Sequence, residues 1–451
     1  MKKPIDREYI QLIPEKILQA WNAIEAIIKP AMIAHRKGYN ADYLREVISI
    51  ISKHIRKDDE HTPLKTDYIG RLVPSGEIYL LELVNHRIVK RSGQYKPGDT
   101  SYRYNFHKQF KSKYVRYTLE NAQLKRRIYT VYDELLKQAR KTTWGRSEQL
   151  RDLHRLSISP QWEGVLNKPL TTDQYNYFVS SAQRIINGEI NYSVDNTSGR
   201  FHSNLTNMPK ELRDYVRIDG TRLVNIDLKN SQPYLSTILL TAPFKVSKLA
   251  ISSEFAFVLT NLQVMDHKPD VKLYITLVVE GKLYEYLQEF FNAAGIPHTR
   301  DETKVQVLRI MFAPNRTPAD KVNKEARRIF RMCFPNVHRI FNKVRGNGRG
   351  KNPHESYKRF AILMQSLESF LILEAVLKAI RAELPGVIAM TIHDSIMTGE
   401  DARTGIMTNN VAGVIRIMER ELLKFVGLKP TIAVEGIKKA IEQKNHEVVY
   451  N

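Results

Sequence analysis

Apolar residues recur at the spacing of a helix face near the start of the chain. Ile17, Trp21, Ile24 and Ile28 begin this pattern, and a second one follows Leu44. Because residues three and four apart lie on one face of an α-helix, residues 14–57 are predicted to be helical.

The pattern changes between residues 68 and 106. Short apolar runs such as residues 78–81 stand there among turn signals at Ser92-Gly93 and Pro97-Gly98, which predicts a small β-ribbon. Its basic and aromatic side chains suit a strand that contacts DNA, although a solvated hairpin has the same composition. Residues 107–155 are predicted to be helical and are dense in Lys and Arg, which fits either a layer along a phosphate backbone or an ordinary solvated face.

Two apolar runs in the second half of the chain lead into acidic residues. Residues 223–226 are predicted to form a short strand that ends at Asp227. Residues 386–392 run into His393 and Asp394 before a second apolar run, which predicts a tight hairpin with these two residues at its tip. A strand end holds a carboxylate in a fixed place, although Asp is also common there because it favours turns.

A basic helix is predicted between these two runs. Arg300, Lys304, Leu308 and Phe312 are four residues apart, so successive side chains lie within about 40° of each other around a helix that Pro314 ends. Two cations one turn apart can bind a triphosphate, and an aromatic ring further along can stack on a base. Basic amphipathic helices without such ligands are also common.

Composition and charge limit the class of protein. The chain has 451 residues, and its 70 Lys and Arg against 48 Asp and Glu leave a net charge of +22. A length above that of one ordinary core predicts two or three domains, and a pI near 9.7 is typical of a nucleic-acid binder. Solubility charge or an acidic membrane surface would be the alternatives. With Cys333 as the one cysteine, no secretion signal at the start and no run of about 20 apolar residues, we expect a cytoplasmic protein without a membrane span.

These segments together resemble the A-family DNA polymerases of the bacterial repair type, whose palm is shared with the phage-type single-subunit RNA polymerases. Asp227 matches the metal-binding Asp that begins the first catalytic motif of the family. The helix from Arg300 follows the spacing of the fingers motif, and His393-Asp394 match the final His-Asp hairpin. Residues 198–209 are similar to the Thr-Gly-Arg segment of the family. Weaker similarities to the family occur at residues 334–337, at Gln365 and at residues 428–435. The resemblance covers roughly residues 190–445.

The resemblance implies a role for each matched residue. Asp227 and Asp394 would bind two Mg²⁺ ions, which Mn²⁺ can replace, for a two-metal attack of a primer 3′-hydroxyl on the α-phosphate of a nucleotide. Lys304 and Arg300 would bind the incoming triphosphate, and Lys304 would also donate a proton to the pyrophosphate. The other implied contacts are to the incoming nucleotide, by Phe312, Leu308 and Gln232, and to the nucleic acid, by Arg200, Asn207, Gln365 and His393.

Three departures from the family pattern concern the choice of sugar. Gln232 stands where the DNA polymerases usually have a Glu that blocks a ribose 2′-hydroxyl, and it has similar length without the charge. Phe312-Ala313 replaces the Tyr-Gly of the fingers motif, and Leu308 replaces an aromatic residue or methionine. The segment around Arg200 favours a DNA polymerase, whereas Ser395 after Asp394 favours an RNA polymerase.

The implied fold class is α+β, a polymerase right hand with an antiparallel-sheet palm, helical fingers and thumb-like helices. Residues 1–106 would form a small helical and β module that docks DNA, residues 107–190 a basic thumb-like region, and residues 191–451 the palm, with fingers at about 240–345. We expect a DNA polymerase without proofreading, from a phage or mobile element, whose partners are a primed DNA template, nucleoside triphosphates and other replication proteins. The alternatives are a primase or RNA polymerase on the same palm, or a replication protein that binds nucleic acid without catalysis.

Overall fold

The computed structural model describes residues 8–55, 62–93, 101–142, 147–241, 264–313, 321–345, 358–399 and 409–435. The chain divides into two compact units. The first unit comprises Met1–Tyr192 and Ser203–Arg222, and the second comprises Ser193–His202 and Leu223–Asn451. The predicted division of the first 190 residues at residue 106 stays a prediction.

The described elements up to residue 218 are short strands and helices in mixed order. The strands are β1 (Ile10–Pro14), β2 (Thr62–Pro63), β3 (Val89–Ser92), β4 (Arg103–Phe106), β5 (Tyr114–Thr118), β6 (Leu156–Ile158), β7 (Tyr192–Val194), β8 (Phe201–Ser203) and β9 (Val216–Ile218). The α-helices are α1 (Glu15–Gln19), α2 (Trp21–Ala34), α3 (Ala41–His54), α4 (Thr66–Leu72), α5 (Gly76–Asn85), α6 (Ala122–Thr142), α7 (Ser147–Leu153), α8 (Thr172–Ile186) and α9 (Lys210–Arg213).

The core of the first unit is built on α2 and α3, as the helical spacing over residues 14–57 predicted. Ile24 and Ile28 of α2 and Val47 and Ile51 of α3 are buried in one apolar cluster. The side chain of Asn40 accepts hydrogen bonds from two backbone amides at the start of α3, which satisfies donors that a helix leaves unpaired there. The prediction of helices in this region is therefore confirmed.

The prediction of a β-ribbon at residues 68–106 is only partly right. β3 and β4 do pair antiparallel, with Val89 opposite Phe106, whereas residues 78–81 lie in α5. Four apolar residues in a row fit a buried strand or a buried helix equally, and here Tyr79, Leu80 and Leu83 bury one helix face. The predicted turn at Pro97-Gly98 lies outside the described residues.

The prediction that residues 107–155 are helical is also partly wrong. Tyr114–Thr118 form β5, which pairs antiparallel with β1 along its whole length. Only Tyr114 of these five residues is buried, so no apolar periodicity marks the strand in the sequence, and pairing with β1 decides the structure. The prediction is confirmed over α6 and α7, which follow β5.

The described elements after β9 are helices around one antiparallel sheet. The strands are β10 (Thr221–Leu228), β11 (Ala389–Ile392), β12 (Ser395–Gly399) and β13 (Ile432–Glu435). The α-helices are α10 (Ser231–Ser236), α11 (Pro269–Val279), α12 (Leu283–Ala293), α13 (Arg300–Phe312), α14 (Lys321–Cys333), α15 (Pro335–Arg345), α16 (Lys358–Ser369), α17 (Leu377–Glu383) and α18 (Asn409–Val426).

The sheet of the second unit has the strand order β11, β12, β10, β13, and every neighbouring pair is antiparallel. The predicted strand before Asp227 is β10 and the predicted hairpin is β11 and β12, so these strands are confirmed. Residues 428–435, which resemble a segment of the family, contain β13. The chain is therefore a mixed protein of helices and antiparallel sheet, while the arrangement of a right hand stays a prediction.

The segment Lys358–Glu383 is one long helical stretch in which Phe370–Val376 forms a π-helical segment between α16 and α17. Its apolar content was underestimated from the sequence, because by length and composition it is the one described helix that could cross a membrane. In its most apolar window 67% of the helix is buried within the protein, and the core helix of a soluble protein meets the same criteria. This helix is weak evidence for a membrane span.

Candidate active site: two carboxylates beside a basic helix

Asp227 lies on β10 of the second unit, and Asp394 lies in the turn that leads into the neighbouring strand β12. Asp227 of β10 pairs with Ser395, the first residue of β12, and Asp394 directly precedes Ser395. Neighbouring strands are about 4.8 Å apart, so the register brings the two aspartates together at one end of the strand pair. The structure thus joins the two residues that the sequence predicted as a metal-binding pair.

The turn that carries Asp394 has a constrained backbone. His393 has a φ of 54°, in the left-handed region that a residue with a Cβ enters at some cost. The His393 ring packs edge-to-face against His202, with 5.7 Å between the ring centroids. The predicted hairpin tip therefore exists, and it fixes both His393 and Asp394.

Helix α13 brings a positive charge to this pair. The helix starts with a capping box in which the Thr299 side chain accepts a hydrogen bond from the Glu302 amide, and the Glu302 side chain accepts one from Thr299 in return. Lys304 lies on its exposed side, and burial raises the pKa of Asp394 while the charge of Lys304 opposes that rise. The predicted helix is confirmed, and its predicted stop at Pro314 lies outside the described residues.

Arg300 lies one turn before Lys304 but is engaged elsewhere. Its Nε donates a hydrogen bond of 2.5 Å to Glu285 of α12, and its guanidinium stands 5.5 Å from the centre of the Tyr284 ring. Tyr284 is buried, and the charges of Arg300 and Asp394 both act on its hydroxyl. Arg300 and Asp394 are therefore neighbours of one tyrosine.

Leu308 and Phe312, further along α13, are half-buried, and the Phe312 ring packs against Phe360 of α16 with 5.3 Å between centroids. Gln365 is also on α16, in the second half of the helix, and its side chain is half-buried. The structure thus places the aromatic end of α13 against the helix that carries Gln365.

A third carboxylate, Glu368 of α16, lies beside the pair. It is 2% exposed, and its Oε1 accepts hydrogen bonds from Arg200 Nε at 2.9 Å and Nη2 at 2.6 Å. Its Oε2 accepts one from the Gln232 amide and a long one of 3.4 Å from Ser231 Oγ. Two predicted residues, Arg200 and Gln232, therefore meet at a carboxylate that sequence analysis did not identify.

Burial raises the pKa of both carboxyls, and the charge of Asp394 adds to the rise at Glu368. Burial, and then the negative charge of Asp394, raise the pKa of Glu368 from its ordinary 4.5 to about 7, although Arg200 and Gln232 act in the opposite direction. Burial also raises the pKa of Asp394, against a hydrogen bond from Ser231 and the charges of Lys304 and Arg200. The carboxyl groups of the site cannot easily all be ionised at once. A bound cation would offset their negative charge and is therefore favoured.

Asn207 is the predicted residue that lies in the first unit. Its amide donates a hydrogen bond of 3.2 Å to the carbonyl of Ser203, and its own carbonyl accepts one from the Tyr177 hydroxyl. It lines a cavity of about 470 Å³ in that unit together with Arg103 and Arg184. The other predicted residues belong to the second unit.

Three residues of the site were not predicted from the sequence, namely Glu368, Ser231 and Tyr284. One signal was available for the first of them, since Glu368 is an acidic residue in the largely apolar stretch from Phe360 to Leu377. An ionisable residue on a helix that is otherwise apolar is buried at a cost, and it needs a partner. Nothing in the sequence identifies Arg200, 168 positions away, as that partner.

Comparisons with known proteins identify no family for this chain. No protein-family model matches the chain, and no curated protein matches its sequence. Among solved structures the chain is similar to the POL domain of Pol1 from M. smegmatis, in a complex with DNA primer-template and dNTP, at 12% identity and a TM-score of 0.30. The match covers 94% of this chain and 66% of that chain, so this chain spans just under two thirds of its length. A likeness this distant carries no functional argument.

Proposed function

We propose that the protein is a template-directed nucleotidyltransferase, a DNA-directed DNA polymerase that adds dNTPs to a primer 3′ end. The observation that carries this proposal is the placement of Asp227 and Asp394 at the same end of two paired strands, with Lys304 of α13 close enough to act on Asp394. Paired carboxylates with a cation opposite them suit the transfer of a phosphoryl group.

The donor set fits Mg²⁺. Carboxylate oxygens are hard ligands, and Mg²⁺ is commonly bound by one or two of them, with water and substrate phosphates completing the shell. Within the described residues no group of three or more His, Cys, Asp or Glu side chains could hold a metal by itself. Asp227 and Asp394 would hold the metal together with the triphosphate, and the bound metal would stabilise the attacking and leaving oxygens.

The cations of α13 have complementary tasks in this proposal. Lys304 is exposed beside Asp394, where it can bind the triphosphate and donate a proton to the leaving pyrophosphate. Arg300 is held by Glu285, but both side chains of this ion pair are nearly half exposed, at 45% and 46%. Such pairs are weak, so a triphosphate can replace the carboxylate.

The remaining assignments follow the resemblance and the charge of the chain. The sheet of β10–β13 would be the palm, helices α11–α15 would belong to the fingers, and residues 107–190 would be thumb-like. Phe312 and Leu308 would contact the nascent base pair, and His393, Arg200, Gln365 and Asn207 the primer and template. A net charge of +22 supports binding to a polyanion.

A second candidate function, a primase or RNA polymerase, is favoured by Gln232. This side chain is neutral and donates its amide hydrogen to Glu368, so the position lacks the carboxylate that the resemblance links to rejection of a ribose. Use of rNTPs without a primer would distinguish this candidate. A replication protein that only binds DNA is the third candidate, and it would bind without extension.

Primer extension on a primed DNA template with Mg²⁺, given dNTPs or rNTPs separately, tests the proposal. Asp394→Asn and Asp227→Asn keep the size of each side chain and remove its charge. Glu383→Gln is the matched control, because this acid is exposed and pairs with Arg420, away from the site.

We expect extension with dNTPs that both aspartate variants abolish and the control keeps. Extension with rNTPs alone would select the RNA polymerase. No extension in folded protein that binds DNA would contradict catalysis altogether.

A further inference from the structure

Glu368 is a buried acid for which packing offers no reason. Its neighbours on α16 and in the π-helical segment, Leu367 and Leu371, are 1% exposed and apolar. A carboxylate in such a place loses its hydration, and here it also faces the negative charge of Asp394. An apolar side chain would fill the same space without either cost. The reason for a carboxylate here must therefore lie in the hydrogen bonds that it accepts.

Glu368 accepts hydrogen bonds from several side chains that lie next to the aspartate pair. Its two oxygens take hydrogen bonds from Arg200, from the Gln232 amide and from Ser231. The Ser231 hydroxyl also lies within hydrogen-bonding reach of Asp394, so its one proton is shared between the two carboxylates. Charge-assisted hydrogen bonds to a buried carboxylate fix each donor in one orientation.

The fixed orientation of Gln232 leaves an acceptor to be filled. Its Nε2 is taken by Glu368, whereas its Oε1 is buried and has no hydrogen-bond partner in the part of the chain that the structure describes. A buried acceptor without a donor is unfavourable, and a ligand that supplies the donor gains that energy back. Without Glu368 the amide could rotate and pair its oxygen elsewhere.

The chemistry of the expected substrate identifies the missing donor. A nucleotide bound through its phosphates at Asp227 and Asp394 carries its sugar directly behind the α-phosphate. Gln232 follows Asp227 by five residues, in the first turn of α10, beside the same carboxylates. The hydrogen-bond donors nearest to the phosphates of a nucleoside triphosphate are its sugar hydroxyls.

We propose that Glu368 is a positioning residue that orients Gln232, so that the Gln232 carbonyl oxygen accepts a hydrogen bond from a sugar hydroxyl of the incoming nucleotide. This inference rests on the proposed function, because it takes the nucleotide to be bound at the aspartate pair. Glu368 acts through Gln232 and does not itself touch the substrate.

Equilibrium binding of ATP, dATP and dideoxy-ATP in the presence of Mg²⁺, measured by calorimetry, tests the inference without catalysis. ATP to dATP removes the 2′-hydroxyl, and dATP to dideoxy-ATP removes the 3′-hydroxyl. We expect one of these two steps to lower the affinity of the wild type about fivefold, which corresponds to the loss of one neutral hydrogen bond. Glu368→Met and Gln232→Met should each abolish that preference. Glu368→Gln, which can still accept from the Gln232 amide, should keep most of it.

A double-mutant cycle separates positioning from a general loss of structure. If Glu368 acts through Gln232, the double variant Gln232→Met/Glu368→Met shows no further change in hydroxyl preference beyond either single variant. Additive losses would overturn the inference. Glu383→Met, a loss of an exposed acid, is the control and should leave the preference unchanged.

The outcomes distinguish this inference from the proposed function. Primer extension without any hydroxyl preference in binding would overturn the role of Glu368 and leave the polymerase proposal intact. Hydroxyl preference that depends on both residues, in protein that does not extend a primer, would support the inference and contradict the polymerase. A wild type that binds none of the three nucleotides would overturn both.

Discussion

Glu368 should make the stability of the second unit depend on pH, and Glu368→Gln should remove that dependence. The folded protein raises the pKa of this carboxyl to about 7, first by burial and then by the charge of Asp394, from 4.5 in an ordinary setting. The unfolded chain has no such environment. Folding therefore has to hold a proton on Glu368 that the unfolded chain releases.

The sign and size follow from this difference. Below pH 4.5 both states carry the proton, so the contribution of Glu368 to stability is fully present. As pH rises from 4.5 to 7 the unfolded state loses its proton first, and the free energy of unfolding falls by about 1.4 kcal/mol per pH unit. The difference of 2.5 units between 7 and 4.5 gives a total loss of about 3 kcal/mol, complete above pH 7.

Hydrogen exchange of the amides in β10 and β12 suits this measurement. The described tryptophans, Trp21 and Trp162, belong to the first unit, so their fluorescence does not report on this sheet. With metal removed by EDTA, protection factors are compared between wild type and Glu368→Gln at each pH from 5 to 8. The stability difference between them should change by about 2–3 kcal/mol over this range, in favour of the variant at high pH.

Parallel pH profiles for wild type and Glu368→Gln would refute the reasoning, because they would mean that the carboxyl titrates alike in the folded and unfolded chain. Glu383→Gln is the reference for the loss of an acid outside the site. Its carboxyl is exposed and its pKa is lowered by a hydrogen bond from Arg420, so this variant should lack a rise in relative stability between pH 5 and 8.

Three further predictions concern other parts of the chain. Lys53→Met should destabilise the first unit by about 3–5 kcal/mol in urea unfolding followed by tryptophan fluorescence, because it leaves Glu46 and Glu189 buried without their cation, and a change below 1 kcal/mol would contradict this. Thr299→Ala should destabilise α13 by about 1 kcal/mol through loss of its capping box with Glu302, seen as faster hydrogen exchange in that helix alone. Binding to duplex DNA should weaken with salt, with a slope of log affinity on log salt of about −0.9 per neutralised phosphate, and a flat dependence would contradict a phosphate-led contact.

Local patterns were sufficient to predict the elements that carry the candidate site. The apolar run before Asp227, the run that breaks at His393-Asp394 and the four-residue spacing from Arg300 became β10, the β11–β12 hairpin and α13. Each of these signals lies within about fifteen residues, the range over which periodicity distinguishes strand from helix. The predictions failed at residues 78–81 and 114–118, where contacts with distant partners decided between the two.

The surroundings of the site could not be predicted in the same way. Tyr284 and Ser231 are ordinary residues in the sequence, and they gain their place near Asp394 from the packing of helices against the sheet. Contacts between side chains that are far apart in the chain cannot be predicted from the local pattern of a single sequence. The pair of aspartates was therefore predictable as a pair, whereas the partners that set their charge were not.

The neutral residue at position 232 and the acid at position 368 explain each other. From the sequence alone, Gln232 is a departure from a family that usually has Glu there. In the structure its amide donates to Glu368, so a Glu at 232 would bring two carboxylates to hydrogen-bonding distance and near Asp394 as a third. Like charges at that separation cannot all ionise. A neutral amide at 232 is thus the side chain that is compatible with a buried acid on α16.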